Sequence, residues 1–277
     1  MYSEGLQSWF DGGPLGAFFL KGLRMASFKP IVKSVMKCLL PEKAFQSFFA
    51  VRSRKWQLNS FKVSGALLQV ERYIEEHGTV VQSGPFAGMI FPLKSAMNRW
   101  VIPKLTGSYE SEIHFFLEAL TKRNYDFILD IGSAEGYYAC GLARLFKVPV
   151  LAYDPEPYEK EFSRQIALRN GVDGYVKMAD FFTVQDMEKF AGNRVLVVCD
   201  CEGYEEVLFR PETLAFTRNW DLIIELHGTA DRALPALAWP HRTLIVDLMD
   251  KPGLETEHRS APQRIILCDS QHAIAAP

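Results

Sequence analysis

From Phe127 onward, short unbroken apolar runs alternate with amphipathic stretches, and this rhythm constrains the chain more than any other feature. FILDI is followed by GYYACGLARLF, VPVLAYD by PYEKEFSRQIALRNG, GYVKMAD by VQDMEKFAG, and RVLVVCD leads through a short helical stretch to WDLIIELH. Strands that are apolar at every position, separated by helices with one wet face, describe a parallel sheet covered on both sides. HRTLIVDLM and QRIILCD close the chain as two more strands. Their connection of about a dozen residues carries Pro252 and Pro262, too loop-like for a helical crossover, so an antiparallel final hairpin is expected.

Five runs end on an acid: Asp130, Asp154, Asp180, Asp200 and Glu225. In an open parallel sheet ligands sit beyond the carboxyl ends of the strands. Acids gathered there repel one another and are costly to bury, so a polar ligand with several hydrogen-bond donors is expected. The first loop, GSAEG, has Gly132 and Gly136 but Ala134 in place of the central glycine of a dinucleotide loop, and Glu135 adds a negative charge where a pyrophosphate would sit. S-adenosylmethionine has no phosphate. It offers a ribose diol, an ammonium, a carboxylate and an adenine amine. Asp154 suits the ribose hydroxyls, Asp180 the adenine amine with Phe181 or Phe182 against the ring, and Asp130 the ammonium. Gly132, Ser133 and Gly136 form the loop around the methionine part.

Upstream, TGSYESEIHFFLEALTKR reads as a helix with Ser108 as N-cap and with Tyr109 and Glu110 at its start, in reach of the donor. TVVQSGPFAGMIFP reads as two short strands around Gly84-Pro85. Residues 1–75 read as a helical, basic N-terminal extension, 76–106 as a β-hairpin and linker, 107–270 as the donor-binding domain and 271–277 as a tail. Between Lys21 and Lys55 the only acid is Glu42, with apolar residues at helical spacing. That pattern suits a helix packed on the main domain, or a peripheral contact with anionic membrane. The net charge of -2 gives no reason to expect DNA as a partner. Five cysteines without regular spacing, and an opening without a basic, apolar leader, fit a reducing cytoplasm.

Four stretches in order resemble FkbM-type methyltransferases. DIGSAEGYYA is similar to the family's D-V-G-A-N-x-G-Y-Y-T, VVCDCEGYEEVLF to its V-D-V-E-G-x-E-x-x-V-L, DLIIELHG to its I-x-x-E-x-H strand, and GSYESEI to its G-x-Y-E-x-E segment. Together they cover about residues 107–228. The resemblance implies a class I methyltransferase fold, Rossmann-like, with a seven-stranded mostly parallel sheet and an antiparallel last strand. It implies S-adenosylmethionine-dependent O-methylation of a sugar, glycan or polyketide-like hydroxyl. Ser133, Ala134, Glu135, Cys199 and Cys201 depart from the family's pattern.

An acceptor hydroxyl benefits from a base as it attacks the methyl group. Asp200, Glu202 and His227 are the expected catalytic residues. Strand alternation points Asp200 and Glu202 one way and Cys199 and Cys201 the other, and places Glu225 and His227 on one face. The same three residues would suit a divalent cation, a variant that is not favoured; alignment of the reacting atoms supplies much of the rate and makes a missing base tolerable. RNA ribose or protein methylation through the basic N-terminal segment, and a non-catalytic donor-binding partner protein, are the competing readings.

Overall fold

The structure, a computed structural model, describes residues 66–91, 100–248 and 263–270. The basic segment 21–55, the proline-bearing connection before the last strand and the tail 271–277 lie outside the described residues, as does all but the end of the expected extension.

Seven strands form one sheet: β1 (Phe127–Ile131), β2 (Val150–Tyr153), β3 (Val176–Ala179), β4 (Val195–Cys199), β5 (Trp220–Leu226), β6 (Arg242–Leu248) and β7 (Gln263–Asp269). The order is β3-β2-β1-β4-β5-β7-β6. β1 to β5 are mutually parallel, and β7 runs antiparallel to both β5 and β6. Both the parallel core and the antiparallel end follow the expectation from sequence. The chain order reverses direction between β1 and β4, which makes the tips of those two strands the switch point where a ligand belongs.

Successive residues of the central strands feed opposite faces, as the pleat requires. Ile128, Leu196, Val198 and Ile223 enter one core cluster, while Leu129, Val197, Cys199, Leu222 and Ile224 enter the other. The helices α1 (Ala66–His77), α2 (Val101–Thr106), α3 (His114–Leu120), α4 (Tyr137–Phe146), α5 (Pro157–Arg169), α6 (Val184–Phe190), α7 (Glu205–Leu208) and α8 (Ala230–Ala233) fill the connections. α5 starts on Glu156, whose side chain accepts the Tyr158 N–H, with Pro157 at the first helical position, and stops at Asn170 before Gly171, as its sequence reads. Thr183 and Asp186 cap α6 reciprocally.

The expected hairpin around Gly84-Pro85 exists as an antiparallel bridge between Val80 and Ile90, flanked by hydrogen bonds Val81 N–H to Met89 O (2.9 Å) and Phe91 N–H to Thr79 O (2.8 Å). Its Phe86 ring lies over Gly141 of α4, where a Cβ would come within 2.6 Å of it, and meets Tyr137 edge-on at 5.2 Å. The segment read as linker contains α2, buried from Val101 to Leu105.

One local expectation fails. Ser108 does not cap a helix: its carbonyl accepts the Ser111 N–H in a turn (3.1 Å), Glu110 takes a left-handed φ of 47°, and a 3-10 turn, Ser111–Ile113, leads into α3. The pattern of capping residues is the same for an α-helix and for this tighter entry, so sequence alone does not separate them.

Candidate active site

A cavity opens at the switch point. The β1–α4 loop, the tips of β4 and β5, and the segment from Lys104 to Glu110 enclose it. Asp130, Gly132, Ser133, Tyr109, Glu110 and Asp200 of the sequence-predicted set all line this wall, and Glu225 joins them.

Asp130 sits within β1, 2% exposed, and its Oδ2 has no hydrogen-bond partner among the described residues. Burial, reinforced by Asp200 and Asp154, outweighs the Ala139 N–H and pushes its carboxyl up to about 8. The buried Ser133 Oγ is likewise without a partner there. Two orphaned polar atoms in one wall fit a ligand that brings its own donors and acceptors.

The loop glycines have reasons inside the protein itself. A Cβ on Gly132 (φ 83°) would lie 1.7 Å from the Asp200 carbonyl oxygen, and one on Gly136 (φ 89°) would lie 2.3 Å from Ser163 Oγ. Close packing of the loop on the β4 tip and on α5 therefore demands both, whatever the ligand. Ala134 keeps the left-handed conformation of the glycine it replaces, at φ 44°. Glu135, which reads from sequence as a charge against phosphate, is buried and ion-paired with Lys104 of α2. The charge part of that exclusion is neutralised by a residue 31 positions away.

Asp154 lies just past β2. Its Oδ2 accepts the Ala134 N–H (3.0 Å) and its Oδ1 the Glu156 N–H (2.8 Å), so it braces the β1–α4 loop against the start of α5. Burial raises its carboxyl to about 6 despite those two bonds. Asp180 and Phe181 are not brought to the cavity wall. The Asp180 carboxylate is 69% exposed and pairs with Lys160, and Phe181 packs against Tyr204 at 4.8 Å. Phe182 is core, edge-on to Tyr153.

Tyr109 and Glu110 hold the opposite side. Tyr138 donates its hydroxyl proton to Glu110, and Tyr109 packs edge-on to Tyr137 at 5.7 Å. Burial first, then the charges of Glu110, Glu225 and Asp200, push the Tyr109 phenol well above its usual range.

The expected catalytic trio assembles. Asp200, Glu202 and His227 each offer a ligand-type atom within 4.8 Å of the others. They meet by a turn rather than by strand alternation: β4 ends at Cys199, and Glu202 and Gly203 both take positive φ, 56° and 103°. Nε2 of His227 is 3.7 Å from Asp200 Oδ1 and 3.6 Å from Glu225 Oε1. Its Nδ1 is 3.2 Å from Oε1 of Glu205, which also accepts the Cys201 N–H (2.9 Å). Burial opposes charge on the imidazole, but the Glu205 hydrogen bond and the field of Asp200 and Glu202 prevail, and its pKa is pushed up to about 9. Asp200 Oδ1 is buried while its side chain keeps 42% exposure; desolvation, with Glu202 and Glu110 and against His227, raises its carboxyl to about 7. The acids around His227 thus favour its charged form, while burial favours the protonated form of Asp200.

Glu205 and Lys104 are the residues that sequence reasoning missed. Glu205 is the last acid of CDCEGYE and so lies in the quoted motif, but nothing local shows that it turns back under His227. Lys104 precedes every matched stretch.

No family model matches the chain, and no curated protein matches it. Several solved structures are similar to part of it. Precorrin-6y C5,15-methyltransferase from Geobacter metallireducens is 14% identical over 56% of this chain and 85% of its own, at a TM-score of 0.41. An rRNA methylase from Streptococcus thermophilus is 15% identical over 57% and 96%, at 0.40. The METTL16 methyltransferase domain is 10% identical over 72% and 76%, at 0.46. These scores add nothing to what the strand order itself shows. The fold is the class I methyltransferase fold. Among the described residues, no helix is long and apolar enough to cross a membrane.

Proposed function

We propose that the chain is an S-adenosylmethionine-dependent methyltransferase that acts on a hydroxyl of a sugar, glycan or polyketide-like small molecule. The observation that carries this reading is the place of Asp200. Its carboxyl, raised to about 7, stands in the wall of the same cavity as the Gly132–Ala134 loop and the orphaned Asp130 Oδ2 and Ser133 Oγ. S-adenosylmethionine, when bound, supplies a methyl group on a sulfonium. The loop, with Asp130, Ser133 and Glu110, would hold its amino-acid end, and Asp154 fixes the loop on the side toward β2.

Asp200 then accepts the proton of the acceptor hydroxyl as that oxygen takes the methyl group. The His227 cation steadies the resulting cluster of acids and orients the Asp200 carboxylate, while buried Glu205 holds the imidazole from behind. Glu202 stands beside them for the acceptor. The near-neutral pKa of Asp200 suits this work, since a base is most effective when its pKa is close to the working pH. Positioning of the hydroxyl in line with the methyl group does the rest.

Isothermal calorimetry with S-adenosylhomocysteine tests the donor part, and saturable one-to-one binding is expected. A protein that binds neither this nor S-adenosylmethionine is not a methyltransferase of this kind. A panel of hydroxylated acceptors then tests the O-methyl part, with methyl incorporation expected on oxygen.

A further inference from the structure

We infer that Lys104 binds the carboxylate of the donor's amino-acid end, an assignment that rests on the methyltransferase reading above. Among the described residues that line the cavity it is the only cation, facing Glu110, Asp130, Asp200 and Glu225. S-adenosylmethionine carries a sulfonium and an ammonium, which these acids suit, and one carboxylate, to which they offer no opposite charge. The carboxylate has one favourable place in such a wall, beside the lysine.

The surroundings of Lys104 are those of a built site. Burying an ammonium is costly unless it is paired, and Lys104 is only 7% exposed on a helix whose other buried residues are all apolar. It is held in three ways. It ion-pairs with Glu135, and its Nζ lies 4.9 Å from the Tyr109 ring centre and 5.3 Å from that of Tyr137. Glu135 belongs to the β1–α4 loop, so the ammonium is fixed to the element that wraps the donor. An ammonium has three protons, and the single carboxylate contact leaves capacity for another. The hydroxyl of Ser133, without a partner among the described residues, lies in the same wall and can donate to the same carboxylate. Asp130 Oδ2, likewise without a partner among the described residues, is left for the ammonium.

A purely structural lysine, present only to neutralise Glu135, is the contrary case, and the paired variant Lys104→Met/Glu135→Gln separates the two because it leaves no buried charge unpaired. Calorimetry on the full chain would compare S-adenosylmethionine with decarboxylated S-adenosylmethionine, which lacks only the carboxylate. The double variant should bind S-adenosylmethionine roughly 10- to 100-fold more weakly than the wild type, the range for a hydrogen bond to a charged group. It should bind the decarboxylated compound as the wild type does. Lys104→Arg, which keeps the cation, should retain most of the affinity, and a thermal melt of each variant confirms the fold. Equal affinity of wild type and double variant for S-adenosylmethionine overturns the assignment and leaves the methyltransferase reading intact. Equal loss for both compounds also overturns it. Failure of the wild type to bind either compound removes the donor and this assignment together.

Discussion

Nδ1 of His227 lies 3.2 Å from Oε1 of Glu205, a carboxylate with no solvent exposure. That pairing decides the charge state of the site. A buried acid behind an imidazole favours the imidazolium, and the ring then presents its other N–H toward Asp200 and Glu225.

Glu205→Gln should therefore lower the His227 pKa from about 9 toward the ordinary histidine range, as followed by the imidazole resonances in an NMR titration. A histidine whose folded pKa lies above its unfolded value contributes stability fully below about 6.5, and that contribution is lost as pH rises through about 9. The variant should lose roughly 1–3 kcal/mol near neutrality, and the difference from wild type should shrink in denaturant titrations above pH 9. An unchanged His227 titration would show that the other acids alone hold the charge.

Asp200→Asn should leave donor affinity within about twofold while lowering kcat by roughly 10²- to 10⁴-fold, the contribution expected of a general base. Wild-type kcat should rise with pH through about 7 as Asp200 loses its proton, and fall as His227 loses its charge near 9. Asp154→Ala should instead weaken donor binding, because it frees the Ala134 N–H and loosens the loop. If both variants lose donor affinity equally, the division of roles is wrong.

Ala134→Gly should stabilise the protein. A left-handed alanine costs about 1 kcal/mol that glycine does not, so Tm should rise by roughly 2–4 °C. Gly132→Ala, two residues earlier, should cost about 3 kcal/mol or more, since its Cβ would fall 1.7 Å from the Asp200 carbonyl oxygen. Differential scanning calorimetry of the two variants compares them directly; a loss of stability in Ala134→Gly would refute the strain account.

Turnover should be insensitive to EDTA and unaltered by added magnesium. Asp200, Glu202 and His227 have the spacing of a cation site, but a divalent ion there would have to displace the proton that the surrounding acids hold on His227. Loss of activity in EDTA and recovery with magnesium would reassign the trio as an ion site.

The strands were legible because each is apolar along its whole length, and the order of elements left few topologies open. The acids at their tips were legible for the same reason: a charge that ends an apolar run stands out. Side-chain direction beyond a strand end was not. Asp200, Glu202 and Glu205 are arranged by two positive-φ residues, Glu202 and Gly203, which break the alternation on which a sequence reading relies. Long-range charge pairing was equally hidden. Lys104 neutralises Glu135 and Lys160 engages Asp180 through contacts that no local pattern encodes. The partner of Asp180 comes from α5, the helix before its own strand, and the partner of Glu135 from α2, so neither pairing can be read from the residues that follow.

The ring of Phe86 resting in the notch at Gly141 has a consequence for how far the folding unit extends. The motifs begin near residue 107, yet Phe86 and Phe91 pack on Tyr137 of the helix that follows β1, in a core cluster shared with Val81 and Met89, and none of these four belongs to the motifs. A chain trimmed to the motif-bearing part would leave an aromatic-sized hole over Tyr137, directly behind the cavity wall. The smallest fragment that retains a competent site accordingly starts upstream of Thr79, and a chimaera that exchanges only the motif-bearing part must carry the hairpin with it.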